Sequence, residues 1–209
     1  MTNKGKVLAA VIAVAVVLAG GVGLYFKGGD LMGKIFGSGN ITRAELAKVV
    51  VAAAYPWWSA EAGGGSCFSD VPEDSWYVDY VCYLVNKDIM KGDPDGTFGP
   101  KKTVSRAEAA EIFWSAYVDA VGGEDNVPQT VNGAQIFART PYSDVSNDTW
   151  YYQYVVGDAA LGILDVKAWA AVSGEKGSTG KNNKFYPGNL LTKGRAQSWA
   201  DKLSAVLGY

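Results

Sequence analysis

Residues 93–108 read DPDGTFGPKKTVSRAE, a tight turn running into the start of a helix. Asp93-Pro-Asp-Gly96 has the composition of a turn, and Pro100 bars a helix from forming earlier. Ser105 with Glu108 three positions later forms a capping box: the hydroxyl accepts from the N3 backbone N–H, and the glutamate reaches back to the cap N–H. The same start occurs at Ile41-Thr-Arg-Ala-Glu45, where Ile41 can staple onto Leu46 across the cap. A degraded copy, Leu191-Thr-Lys-Gly-Arg195, keeps the Thr192 cap but has Arg195 where the glutamate belongs.

The rest of the chain repeats around these starts. Phe68-Ser-Asp-Val71 returns as Tyr142-Ser-Asp-Val145, Trp76-Tyr77 as Trp150-Tyr151, and Asp88-Ile-Met90 as Gly162-Ile-Leu164, all 74 residues later. Phe98 precedes Arg106 by eight residues and Phe185 precedes Lys193 by the same eight, so the turn repeats at an offset of 87. The 13 extra residues fall between Leu164 and Phe185, in a Gly/Ser/Lys/Asn-rich stretch that reads as an inserted surface loop. One unit is an aromatic-Ser-Asp-Val turn, a Trp-led helix, a Gly/Pro turn and a capped helix. Trp76, Tyr77, Tyr80, Val81 and Leu84 show the three-to-four spacing of an amphipathic helix, as do Leu46, Val49, Val50 and Ala53. The first unit is present only as its second half. Helices are expected near 42–55, 76–87, 105–121, 150–161 and 192–207.

These motifs, ITRAE, FSDV before a Trp, and DPDGTF eight residues ahead of SRAE, resemble the S-layer homology domain over about Ile41–Leu207. The resemblance implies a mostly α fold of about two and a half units (41–66, 67–121 and 142–209) arranged as a pseudo-threefold prism with the capped helices at its centre. It also implies grooves that bind secondary cell-wall polysaccharide. Carried onto this sequence, the basic contact falls on Arg43 and Arg106, with Lys193 as a weaker third copy, because an ammonium lacks the guanidinium fork. The glycine-bearing loop maps to Gly92, Asp93, Asp95 and Gly96, and the Trp-led helices offer Trp76 and Trp150. Only the groove between the first two capped helices keeps the whole pattern. Plainer roles stand beside these. The arginines can be first-turn surface charges paired with an acid, and Trp76 and Trp150 read first as core anchors. Asp93 and Asp95 lack the later ligands of a calcium loop, so a turn is expected rather than a metal site. Pro56-Trp57-Trp58 reads as domain packing, with sugar stacking or subunit contact as alternatives.

Val7–Phe26 is twenty residues without a charge, preceded by Lys4 and Lys6. As a helix it would be about 30 Å long, the thickness of a bilayer core. Residues 1–26 therefore read as a retained membrane or assembly helix, or as a signal peptide using only Val7–Leu18. Residues 27–40 form a Gly-rich linker with one apolar turn, Leu31–Phe36. Export agrees with the cysteines: Cys67 and Cys82 stand fifteen apart with no CxxC and no histidine to complete a zinc site. A helix starting near Trp76 carries Cys82 back over the Phe68 turn, so a disulfide is expected.

Composition narrows the function. With 19 Lys+Arg, 21 Asp+Glu and no histidine, the net charge is −2, and His-dependent triads and metal sites are excluded. A weakly acidic body does not suit nucleic acid. The acid pairs Asp70/Glu73 and Glu108/Glu111 belong to a repeated turn and a capping box, so no catalysis and no cofactor is expected. Two readings remain. In one, a non-catalytic cell-surface module anchors the envelope by gripping wall polysaccharide, with the membrane held through residues 7–26. In the other, copies of the chain assemble into a pilus-like filament or a surface layer with the apolar helix in the core.

Overall fold

The computed structural model describes residues 39–60, 65–131, 134–137, 140–164 and 183–209. The apolar stretch 7–26, the linker through residue 38 and most of the insertion after Leu164 lie outside the described residues. Five α-helices lie among them: α1 (Arg43–Ala54), α2 (Val78–Asn86), α3 (Arg106–Ala120), α4 (Tyr152–Ala160) and α5 (Lys193–Leu207). A 3-10 turn, Glu124–Asn126, and a two-residue hairpin, β1 (Thr130–Val131) with β2 (Ala134–Gln135), make up the connector after α3. Among the described residues no helix is long and apolar enough to cross a membrane.

The caps explain where the helices begin. Thr42 and Ser105 head complete capping boxes with Glu45 and Glu108. Each such cap typically stabilises by about 1 kcal/mol. All four N-terminal donors of α1 are satisfied: Arg43 N–H by Lys102 O at 2.9 Å, Ala44 N–H by Pro100 O at 3.1 Å, Glu45 N–H by Thr42 Oγ1 at 3.3 Å and Leu46 N–H by Thr42 O at 2.8 Å. In α3, Arg106 N–H and Ala107 N–H reach Asn189 O and Pro187 O at 2.8 and 3.0 Å. Thr192 caps α5 by accepting from Arg195 N–H at 3.3 Å, without a returning glutamate.

A ring of backbone bonds ties the three starts together. Ile41 N–H donates to Leu191 O (2.9 Å), Leu191 N–H to Val104 O (2.8 Å), and Val104 N–H to Ile41 O (3.2 Å). All three side chains are buried. The capped helices α1, α3 and α5 pack on one another, while α2 packs on α1 and α4 on α3. Their core is one continuous cluster that includes Leu46, Val50, Phe98, Phe113, Phe185, Trp199 and Leu203.

The repeated Ser-Asp turns are clamps across the chain. Asp70 accepts from Phe98 N–H and Gly99 N–H at 2.8 and 2.7 Å, and Asp144 accepts from Phe185 N–H and Tyr186 N–H at 2.7 and 2.8 Å. The Asp88/Gly162 match is equally structural. Both residues sit just past a helix end in the left-handed region, at φ 59° and 78°. There each lets the next isoleucine N–H return to a helix carbonyl, Leu84 O or Asp158 O, at 2.9 Å. Cys67 and Cys82 form the expected disulfide, with Cα atoms 5.6 Å apart, and it pins the first turn onto α2. A bridge closing a loop of this size stabilises by roughly 3 kcal/mol in the chain-entropy model.

One expectation is overturned. Trp76 and Trp150 are not core anchors: they are 56% and 57% exposed. Each stands before the first turn of its helix, out of phase with the buried stripe, which in α2 is Val78, Val81 and Leu84.

Candidate functional site

Arg43 sits in the first turn of α1 facing the turn ahead of α3. Its Nε donates to Phe98 O at 2.8 Å and its Nη2 to Lys91 O. The guanidinium lies 4.4 Å over the Phe98 ring, whose side chain is fully buried. Burial lowers the Arg43 pKa below its ordinary value, opposed by the charges of Asp93, Glu108 and Asp70. A guanidinium has five N–H donors, and these two bonds leave three of them. Arg43 is thus rigidly held, only partly buried, and still able to donate.

Arg106 repeats the arrangement at greater depth. Its Nε donates to Phe185 O at 2.6 Å, and its guanidinium lies 4.6 Å from the Phe185 ring and 5.3 Å from Trp199. Arg106 is only 9% exposed, so here the same fork is sealed into the core. Lys193, in the third copy, pairs with Glu45 at 2.6 Å. Its contact is with the first capping box rather than a phenylalanine carbonyl.

The loop residues have internal partners. Asp93 takes Lys102 Nζ at 2.6 Å, and Asp95 accepts from both the N–H and the hydroxyl of Thr97, at 3.0 and 2.6 Å. A turn, as expected, accounts for both carboxylates. Gly96 adopts φ 81°, and its N–H is spent on Asp93 O at 3.0 Å. At Gly92 an added Cβ would fall 2.3 Å from the Phe68 ring, so that glycine makes room for the Ser-Asp turn. The structure therefore gathers Arg43, Gly92, Asp93 and Phe98 into one corner braced by Asp70. Trp76 stands on a different element, edge-on to Tyr77 at 5.2 Å, with Lys48 Nζ 5.6 Å from its ring. The importance of Asp70 and Phe98 to the corner was open to a reader of the sequence only through their recurrence as Asp144 and Phe185.

The turn side of this corner, from Asp70 to Phe98, lies inside a recognised module, and Arg43 stands ahead of it. Residues 68–110 match the S-layer homology domain. Relatives carry the likeness further along the chain. An S-layer protein of Bacillus licheniformis is 33% identical over 150 residues, 72% of this chain and 13% of that protein. S-layer protein sap of Bacillus anthracis is 42% identical over 127 residues, 61% of this chain and 13% of its own length. A cellulosome-anchoring protein of Acetivibrio thermocellus is 35% identical over 127 residues, 60% of this chain and 26% of its own. The chain thus spans about an eighth of the S-layer proteins it matches. These matches support an extracellular, cell-surface location.

Proposed function

We propose that the chain is a non-catalytic module of the cell surface that anchors the envelope by binding cell-wall polysaccharide, with the Arg43 corner as its anionic contact. The three capped helices form the centre of a pseudo-threefold prism, and the closed ring through Ile41, Val104 and Leu191 supports that view. The observation that carries the reading is the contrast between the two arginines. Both are seated on a phenylalanine and its carbonyl, but only Arg43 is open enough to meet a polymer. A carboxylate on a wall sugar would take the remaining donors of Arg43, while Gly92 keeps the loop close and Asp93 with Lys102 holds its shape. Arg106 serves mainly as an internal brace.

Co-sedimentation of the whole chain with purified walls, with and without their secondary polymer, tests this. Arg43→Ala should weaken binding at least tenfold without loss of fold, since removing one partner of a desolvated ion contact costs about 2–5 kcal/mol. Arg43→Lys should fall between. Arg106→Ala should chiefly lower the melting temperature. Binding by Arg43→Ala equal to the parent, or no binding by the parent, removes the polysaccharide reading and leaves assembly with copies of itself.

A further inference from the structure

The far end of α3 borders a cleft that has no part in the Arg43 corner. Asp119 lies thirteen residues beyond Arg106, which is about 20 Å along a helix. The cleft has a volume of about 570 Å³, within the range of small-ligand sites.

Comparing the two helix pairs shows why it is open. Tyr80 and Tyr83 of α2 correspond, 74 residues on, to Tyr154 and Gly157 of α4. On the α1–α2 pair, Trp58 folds back from the end of α1 and packs against Tyr80 and Tyr83, with ring centroids 5.5 and 4.7 Å apart. On the α3–α4 pair the position equivalent to Trp58 is Val121, the C-cap of α3, and among the described residues no such plug is present. Size is traded across the helices as well. Val51 of α1 becomes Trp114 of α3, and a Cβ on Gly157 would fall 2.3 Å from the Trp114 ring. Trp114 is thereby fixed as a wall of the cleft, with Phe137 of the connector edge-on at 5.7 Å.

The lining is amphipathic in a particular way. Trp114, Phe137 and Tyr154 supply aromatic surface, and Phe137 is 45% exposed. Gln129, Gln153 and Ser115 also line the cleft, adding two amides and a hydroxyl. Each amide can both donate and accept, as a ligand hydroxyl also does. Charge selects further. Lys87 is held by Asp119 at 2.7 Å, and Tyr55 donates to the same carboxylate oxygen at 2.7 Å. Glu124 and Asp88 then leave the lining net negative, since Asp88 has only an exposed contact with Lys91 at 3.6 Å. An acidic ligand would be repelled. A purely apolar one would strand the amides without partners.

We propose that this cleft binds an uncharged saccharide. One sugar face lies on Phe137, where C–H groups meet the negative face of the ring, and its hydroxyls bond to Gln129, Gln153 and Glu124. The site is independent of the polysaccharide reading: it sits at the opposite end of α3 and selects against the carboxylate that Arg43 would attract.

Isothermal titration of the whole chain with cellotetraose, N-acetylchitotetraose and mannotetraose tests the proposal, with tetragalacturonate as the anionic arm. At least one neutral tetrasaccharide should bind, and tetragalacturonate should not compete for it. Phe137→Ala and Gln153→Ala, both at exposed positions, should each weaken that binding tenfold or more with unchanged melting temperature. Arg43→Ala should leave it intact. The proposal is overturned if no neutral tetrasaccharide binds at millimolar concentration, if tetragalacturonate displaces the neutral ligand, or if both cleft variants bind as the parent does.

Discussion

Asp158 occupies the place in α4 that Leu84 holds in α2. It is fully buried, and among the described residues neither carboxylate oxygen has a hydrogen-bond partner. Burial alone drives its pKa well above the ordinary carboxylate value, so the folded chain holds it as a neutral acid. Below the unfolded value, near 3.9, both states keep the proton. As pH rises above that point the unfolded chain releases its proton while the folded chain does not, so stability falls until the folded pKa is passed. Glu45 works in the opposite sense. Burial opposes its ionisation, but the Lys193 ammonium and the Thr42 N–H and hydroxyl outweigh that and hold its pKa low. Its contribution is present above the unfolded carboxylate value and is lost as pH falls through the folded one. Asp158→Leu should therefore stabilise the fold at pH 7 by about 1–3 kcal/mol, the cost of a stranded buried polar group. The isosteric Asp158→Asn should remove only the pH dependence. In urea melts across pH 3–8, the gap between Asp158→Leu and the parent should be smallest at the acid end, below about pH 4, and widen upward. A parent more stable than Asp158→Leu at neutral pH would mean that the carboxylate has a use the structure does not show.

At the level of elements, the capping boxes do more than start helices. Glu45 accepts from Thr42 N–H at 3.0 Å and from Lys193 Nζ at 2.6 Å, so one carboxylate finishes the cap of α1 and joins it to α5. The degraded third box makes sense in this light: its lysine serves the first box. Glu45→Ala should cost about 1–2 kcal/mol through the lost cap. A double-mutant cycle with Lys193→Ala should give a coupling below about 1 kcal/mol, because both side chains are near 30% exposed and water screens the pair. A coupling above that range would make the pair a main fastening of α5. These boxes also explain how much could be read in advance. Thr42, Ser105 and Thr192 declare their helices locally, and all five helices lie where the spacing put them. The disulfide was legible for the same reason, since a turn and a helix fifteen residues apart fix both sulfurs. Solvent exposure was not legible. Trp76 and Trp150 looked like core residues because size and apolarity say nothing about the phase of a side chain ahead of a helix. Arg43 and Arg106 share a motif, yet only packing against Phe185 and Trp199 buries the second. The cleft beside Trp114 was hidden because it depends on how two repeats pack, with Trp58 in one where the other has Val121.

For the molecule as a whole, α5 stands apart from the other capped helices: among the described residues α1 carries α2 and α3 carries α4, while α5 carries no outer helix. Two stripes of α1 and α3 are buried: one faces the other capped helices, and the second carries α2 or α4. The second stripe is Ala44, Ala47, Val51 and Ala54 in α1, and Ala107, Ala110, Trp114 and Tyr117 in α3, all buried. The equivalent residues of α5 are Gly194, Gln197, Asp201 and Ser204, none of them buried, and the Gln197 amide donates to Asp201 at 2.8 Å. The buried residues of α5 are Ala196, Trp199, Ala200 and Leu203, which form the inner stripe alone. The helix has thus been made polar where an outer helix would otherwise sit, as terminal repeats of stacked proteins are. Restoring the other helices' residues with Gln197→Ala, Asp201→Val and Ser204→Ala together should recreate an unpartnered apolar face. Surface changes of this kind should alter the stability of the monomer by no more than about 0.5 kcal/mol each. The exposed stripe should instead drive association, so sedimentation should show a mass that rises with concentration in the triple variant and not in the parent. If the variant stays monomeric while its melting temperature holds, the polar stripe is not what limits association through α5.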